Sequence, residues 1–334
     1  MSLDAMTTDV WTLPATASDP ALHLRRQRAS GTPRGAALYV HGATFPSALS
    51  LFFRFDGGSM EYLRAAYSGI GPWGGPAGSW ADALNAAGFD AWGFDFAGYG
   101  ESQRYPAMQH AADSAAPLGR VDAAERQLTT ALHAVRRLAG ERLPLHLIAH
   151  SWGTLAALRC APAFADALAS LTLFGPVVQR DGSPAPESVP AWRTLTIWEQ
   201  YRRFIADVPR GETNVLLDRH IEAWARAYLA TDPASASREP PAVQVPAGPG
   251  ADIGALWSGE SLVDASRVRT PTLLVRGEWD SVCDDRDAAR LLRSMTGEPT
   301  RERVLAKGTH LMHLETGRID LHRAVNEFLL ECTP

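Results

Sequence analysis

Residues 145–160 read LHLIAHSWGTLAALRC. Leu145–Ala149 is a short apolar run of buried-strand type, and Thr154–Cys160 opens a helical pattern. The segment between them, Ala149-His150-Ser151-Trp152-Gly153, has to turn the chain from strand to helix within a few residues. Small residues on either side of the serine let the backbone pack that tightly, and the turn lifts the hydroxyl clear of the sheet.

Outward from this stretch, short apolar runs alternate with helical patterns, as in βαβ units with a mostly parallel sheet. Further strands are expected at Ala37–Val40, Phe89–Phe94, Leu171–Phe174, Thr272–Val275 and Glu302–Leu305. Leu22–Arg28 alternates in polarity and reads as an antiparallel edge strand. Val121, Ala124, Leu128, Leu132, Val135 and Leu138 recur at spacings of three and four, which puts one apolar stripe on a helix. A similar pattern over Ile319–Leu330 closes the chain. Two segments break the rhythm. Residues 45–78 include SGIGPWGGPAG, too rich in glycine and proline for regular structure. Residues 177–268 hold helical patterns, Trp192, Trp198, Trp224 and Trp257, and the proline-rich REPPAVQVPAGPG. They read as a helical lid inserted over the carboxyl edge of the sheet, where open α/β folds keep their ligands. The expected division is a core of 20–176 and 269–332 with the lid between.

Composition narrows the function classes. The chain has 334 residues, 46% hydrophobic and 21% charged, enough apolar material for a large core. A net charge of −5, with no basic run longer than two residues, offers no basic surface to nucleic acid or anionic lipid. The longest uncharged run, Gly35 to Phe53, contains two glycines, His41 and Pro46, and makes a poor membrane span. Cys160, Cys283 and Cys332 lie far apart without metal-type spacing, which fits a reducing cytoplasm rather than a disulfide framework. The N-terminal stretch has acids and no apolar core of signal-peptide length. The expectation is a soluble cytoplasmic protein, monomer or dimer, acting on a small molecule with no cofactor and no metal.

The pentapeptide at Ser151 resembles the G-x-S-x-G nucleophile elbow of the α/β hydrolases, with Ala149 in the first glycine position. The resemblance covers roughly residues 20–176 and 269–332. It implies the α/β-hydrolase fold, a mostly parallel sheet flanked by helices, with serine, acid and histidine in that order. Gly277-x-x-Asp280 after the strand TLLVRG resembles the loop that carries the acid. Gly308-Thr309-His310 after ERVLA resembles the loop that carries the histidine, and its spacing picks His310 over His313. Asp284 and Asp285 suit the start of the next helix, where acids are favoured. Cys283 has no elbow of its own, and His146 and His150 lie on a strand and its turn rather than at helical zinc-pair spacing. Val40-His41-Gly42-Ala43-Thr44 resembles the oxyanion loop, implying amides of Ala43 and Trp152 as donors, with His41 holding the loop. Asp95 to Ser102 resembles a scaffold turn of the family rather than a second nucleophile site.

The Ser-Trp-Gly elbow is also similar to that of proline iminopeptidases. Those enzymes carry an HGGPG loop where this chain has HGAT, and they hold a substrate amine with lid glutamates, for which Glu199 is the counterpart. HGAT suits esterases, thioesterases and lactonases better. The leading expectation is cleavage of an ester, thioester or lactone through an acyl-Ser151 intermediate, with Thr44, Trp198 and Glu199 near the substrate. An iminopeptidase, a carbon–carbon bond hydrolase and a non-hydrolytic sensor of small ligands are the alternatives.

Overall fold

The computed structural model describes residues 8–55, 78–182, 188–216 and 218–334. Most of the glycine-rich 45–78 stretch lies outside the described residues. Among the described residues ten strands run in chain order: β1 Thr8–Leu13, β2 Leu22–Gln27, β3 Gly35–Val40, β4 Phe89–Asp95, β5 Leu145–His150, β6 Leu168–Phe174, β7 Trp192–Thr196, β8 Ala242–Pro246, β9 Thr272–Gly277 and β10 Thr300–Leu305. The described helices are α1 Trp80–Ala86, α2 Val121–Ala139, α3 Gly153–Cys160, α4 Ile197–Ile205, α5 Asp218–Ala230, α6 Gly248–Trp257, α7 Asp285–Ser294 and α8 Arg318–Glu331.

Eight strands form one sheet in the order β1-β2-β4-β3-β5-β6-β9-β10. The β1–β2 and β2–β4 pairs are antiparallel and the rest are parallel. The Leu22 strand is thus antiparallel as expected but not the edge, because β1 covers it. Trp11 of β1 stacks on Trp92 of β4 at 5.2 Å and helps hold that outer strand.

Strand side chains alternate between two cores, as the two-residue period requires. Leu38, Val40, Leu147, Leu171 and Leu173 join one cluster with Leu128, Leu132 and Val135 of α2 and Leu155 of α3. Tyr39, Ile148 and Phe174 join the other with Trp80 of α1 and Leu321, Val325 and Phe328 of α8. Strands buried on both faces read as nearly continuous apolar runs, which is why they are legible in the sequence. The expected α2 stripe is the buried one, with Leu138 at its partly buried end.

Register places the functional loops on one edge. Val40 is opposite Ala149, His150 opposite Phe174, Phe174 opposite Val275, and Leu305 opposite Gly277. The residues after β3, β5, β6, β9 and β10 therefore leave the sheet together. Residues 177–268 are not purely helical: β7 and β8 pair as an antiparallel ribbon between the helices.

Where β9 and β10 end, Gly277 meets the Gly308 carbonyl so closely that a Cβ would overlap it. Gly277→Ala is expected to lower stability by about 1–3 kcal/mol or more through overpacking. Gly250, near the start of α6, has nothing within 4 Å of its missing Cβ. Gly250→Ala should instead add a few tenths to about 1 kcal/mol of helix propensity. Denaturant midpoints of the two variants should move in opposite directions; a shift of the same sign would overturn this account of the two glycines.

Candidate active site

The turn after β5 puts Ser151 at φ 55°, left-handed backbone that a side chain adopts only at a cost of about 1–2 kcal/mol. Its surroundings hold it there. The Ser151 amide donates to the Phe174 carbonyl at 2.9 Å, and its carbonyl accepts from the Thr154 amide at 3.0 Å and hydroxyl at 2.6 Å. Two glycines make room: a Cβ on Gly42 would lie 3.0 Å from Ser151 Cβ, and one on Gly153 would overlap the His41 carbonyl. Ala149 occupies the remaining small position and is fully buried.

Ser151, His310 and Asp280 meet in one chain of hydrogen bonds. His310 Nε2 is 2.8 Å from Ser151 Oγ, and His310 Nδ1 is 3.0 Å from both carboxylate oxygens of Asp280. Asp280 Oδ1 also accepts from the amides of Val282 and Cys283, which orients the carboxylate. Asp280 is buried, and His310 keeps only 6% of its side chain exposed. Gly175, at φ 52°, opens the space between them: a Cβ there would lie 2.8 Å from Asp280 Oδ2 and 3.0 Å from His310 Nδ1.

The other expected site residues fall in several places. Trp152 follows the serine and Ala43 follows Gly42, where a Cβ would lie 3.0 Å from Ser151 Cβ, and neither amide has an acceptor among the described residues. The Ala43 carbonyl accepts from the Tyr99 hydroxyl at 2.7 Å, which pins the loop from behind. His41 holds the same loop: its Nδ1 is 2.8 Å from the Gly42 carbonyl and Nε2 accepts from the Phe96 amide. Thr44 is buried and bonds to Arg203. Trp198 is 64% exposed and stacks on Tyr201, so its ring lies on the solvent side of α4. Glu199 closes a capping box at the start of α4, its Oε2 accepting from the Thr196 amide and hydroxyl. Those hydrogen bonds hold its carboxyl below the usual range.

The rivals are accounted for by burial. His313 has no hydrogen-bond partner among the described residues, and burial pushes it down to about 3. His150 bonds to the His310 carbonyl through Nε2 at 3.1 Å and is held well below its ordinary value by burial. Burial raises the Cys283 thiol, the opposite of what a nucleophile needs. Asp284 caps α7. A cleft of about 510 Å³ bounded by Arg120, Asp122, Glu125 and Arg159 touches none of Ser151, Asp280 and His310.

Two supporting carboxylates escape a reading of the sequence. Asp252 of α6 is fully buried and accepts from Trp152 Nε1 at 3.0 Å, from the Val121 amide at 2.7 Å and from Arg120. It fixes the residue whose amide flanks the serine, and its only sequence signal is a lone acid within the apolar PGADIGALW. Glu315, also buried, accepts from the Thr309 amide at 3.2 Å and from the Thr309 hydroxyl, and so braces the loop carrying His310.

A family model described as alpha/beta hydrolase fold matches residues 68–316. Among solved structures, a lipase in an open form aligns over 98% of this chain and 99% of its own, at TM-score 0.60 and 20% identity. The thioesterase domain from the curacin biosynthetic pathway aligns over 98% and 100%, at TM-score 0.58 and 14% identity. A soluble variant of the Saccharomyces cerevisiae monoglyceride lipase, in complex with a substrate analogue, aligns over 100% and 98%, at 0.57 and 14%. At such identities the likeness is one of fold. No curated protein matches the chain in sequence.

Glu315 carries a pH prediction. Burial pushes its carboxyl from an ordinary 4.5 up to about 7, against the hydrogen bonds from Thr309 that lower it. The folded state therefore favours the neutral form. The stability this residue contributes is complete below about pH 4.5 and is lost as pH rises towards 7, roughly 3 kcal/mol in all. Unfolding free energies of the wild type and Glu315→Gln should converge or cross over that window, with the wild type losing ground as pH rises. Parallel curves would show that Glu315 does not titrate there.

Proposed function

Because the chain belongs to the α/β-hydrolase fold family, we propose that it is a serine hydrolase cleaving an ester, thioester or lactone of a small substrate through acyl-Ser151. The observation that carries this reading is the hydrogen-bonded chain Ser151–His310–Asp280, at 2.8 and 3.0 Å, on a strained elbow.

The chemistry follows from the donors and acceptors. A neutral His310 donates Nδ1–H to Asp280, which leaves the Nε2 lone pair for the serine proton. As Nε2 takes that proton, Ser151 Oγ attacks the substrate carbonyl. The negative oxygen of the tetrahedral intermediate turns to the amides of Ala43 and Trp152, each worth on the order of 3 kcal/mol in such a role. His310 then protonates the leaving group, and the same base activates the water that releases the acyl group. Asp280 stays ionised and steadies the imidazolium.

Residues 177–268 serve in this reading as a cap over the core of 20–176 and 269–332. Contacts support it: Trp224 Nε1 donates to the Leu49 carbonyl, and Phe45 packs against Phe204 and Trp224. The cap's apolar weight is thus Trp224 and Phe204 rather than the exposed Trp198. The ester reading is preferred over the iminopeptidase one because Glu199 is engaged in capping its own helix. Among the described residues no helix is long and apolar enough to cross a membrane. Three free cysteines, two of them buried, support a cytoplasmic setting.

Ser151→Ala is expected to lower kcat by a factor on the order of 10⁴ to 10⁶ on p-nitrophenyl butyrate, and to abolish labelling by a fluorophosphonate. Retention of more than about a tenth of the activity would overturn the assignment. Labelling without steady hydrolysis of any ester, thioester or lactone would point to a ligand sensor. Glu199→Gln, whose amide oxygen can still accept from Thr196, should leave both the ratio of ester to prolyl-arylamide hydrolysis and the stability nearly unchanged; selective loss on the arylamide would restore the peptidase reading.

A further inference from the structure

The helix α4 turns one face toward the loop that follows β3. Gln200 and Arg203, three residues apart, share that face. Gln200 is fully buried, with Nε2 3.5 Å from the Thr44 carbonyl. Arg203 Nη1 donates to Thr44 Oγ1 at 3.0 Å and to Gln200 Oε1 at 2.8 Å. These bonds occupy one nitrogen of the guanidinium; among the described residues, Nε and Nη2 have no acceptor. Thr44 follows Gly42 and Ala43, and a Cβ on Gly42 would lie 3.0 Å from Ser151 Cβ, so Arg203 is bonded to the loop that meets the nucleophile.

Arg203 is an accessible residue, yet the surrounding protein lowers the pKa of its guanidinium, first by desolvation and then by the charge of Arg193. The field of Arg203 also reaches His150, next to the nucleophile. Arg193, on β7, is exposed, and neither arginine forms an ion pair among the described residues. Glu199 is turned to Thr196 and hydrogen-bonds to neither arginine, although its carboxylate lies in the field of Arg193. Other described arginines of the protein, such as Arg120, Arg180 and Arg276, are matched to carboxylates. Arg203 has no carboxylate partner among the described residues, and a planar fork with free donors fits the two oxygens of a carboxylate or phosphate.

We propose that Arg203 and Arg193 form an anion subsite beside Thr44, and that the substrate cleaved at Ser151 carries a carboxylate or phosphate that docks there. The substrate class rests on the hydrolase reading above, whereas the subsite itself does not. The protein carries net negative charge, so cationic groups beside Thr44 give an anionic substrate a local attraction that the net charge does not.

Two substrate pairs separate the sources of the anion. The mono-4-nitrophenyl ester of adipic acid against 4-nitrophenyl hexanoate tests a carboxylate on the acyl side. Butyryl-coenzyme A against the butyryl thioester of N-acetylcysteamine tests phosphate on the leaving side. The charged member of at least one pair should be favoured tenfold or more in kcat/KM. Arg203→Gln and Arg193→Gln should each cut that preference at least threefold, chiefly through KM, and Arg203→Lys should recover part of it. Arg202→Gln, on the neighbouring exposed position, should keep the wild-type ratio. Equal loss on charged and neutral substrates would reduce Arg203 to a brace for the Thr44 loop and overturn the subsite, as would the absence of any charge preference in the wild type. Calorimetric titration of Ser151→Ala with adipate and with inorganic phosphate gives a second readout: binding of one of them, weakened tenfold in Arg203→Gln, is expected. If no substrate turns over and Ser151 does not label, the hydrolase reading fails; the titration still decides the subsite, and no binding overturns it.

Discussion

The reversal of the chain at Ser151 is the constraint on which the site depends. A residue with a side chain must hold a left-handed φ there while two further segments close on it from either side. Gly42 approaches from the loop after β3, and Gly153 presses on the His41 carbonyl from the start of α3. The amide of Ser151 is taken by Phe174, its carbonyl by Thr154, so the strained turn has no looser arrangement available to it. Strain of this kind persists only where the sheet around it is rigid, and β3, β5 and β6 are central strands buried on both faces.

The site also shows how burial sorts side chains of one type into different roles. His41, His150 and His313 are all depressed by desolvation and stay neutral, acting as fixed dipoles or as packing. His310 alone among these has an oxygen partner on each ring nitrogen, one a carboxylate and one a hydroxyl. The carboxylates divide likewise. Asp280 faces a ring nitrogen and two amides, Glu315 braces a loop, and Asp252 holds an indole. Neighbouring groups rather than residue type decide what each can do.

Much of this was legible in the sequence, for a physical reason. Parallel strands covered on both faces are continuous apolar runs, and loops leaving them at one edge carry their glycines at positions that geometry demands. Ser151 and Asp280 each follow such a run, His310 follows the largely exposed edge strand β10, and the structure brings the three together. What was not legible depends on distant partners. The strand TDVWTL is held by β2 and by the stacking of Trp11 on Trp92, neither of which its own residues announce. The β7–β8 ribbon joins segments on either side of two helices. Trp198 attracts attention as an aromatic, yet the buried face of α4 is set by Gln200 and Phe204, and Trp198 is off that phase. Arg203 reads as one of two solvated arginines; its contacts with Thr44 and Gln200 distinguish it from Arg202.

The bond from Trp152 to Asp252 bears on how separable the parts of this chain are. Residues 177–268 look in sequence like one interchangeable module between two halves of a core. Gly248 donates its amide to the Leu118 carbonyl, and Asp252 ties α6 to both α2 and the elbow. Exchange of the whole segment for that of a relative would strand the Trp152 indole N–H in a dry interior, where a lost partner costs roughly 1–3 kcal/mol. The transplantable unit therefore ends before α6, and recombination of substrate specificity in this scaffold is confined to the stretch between β6 and β8.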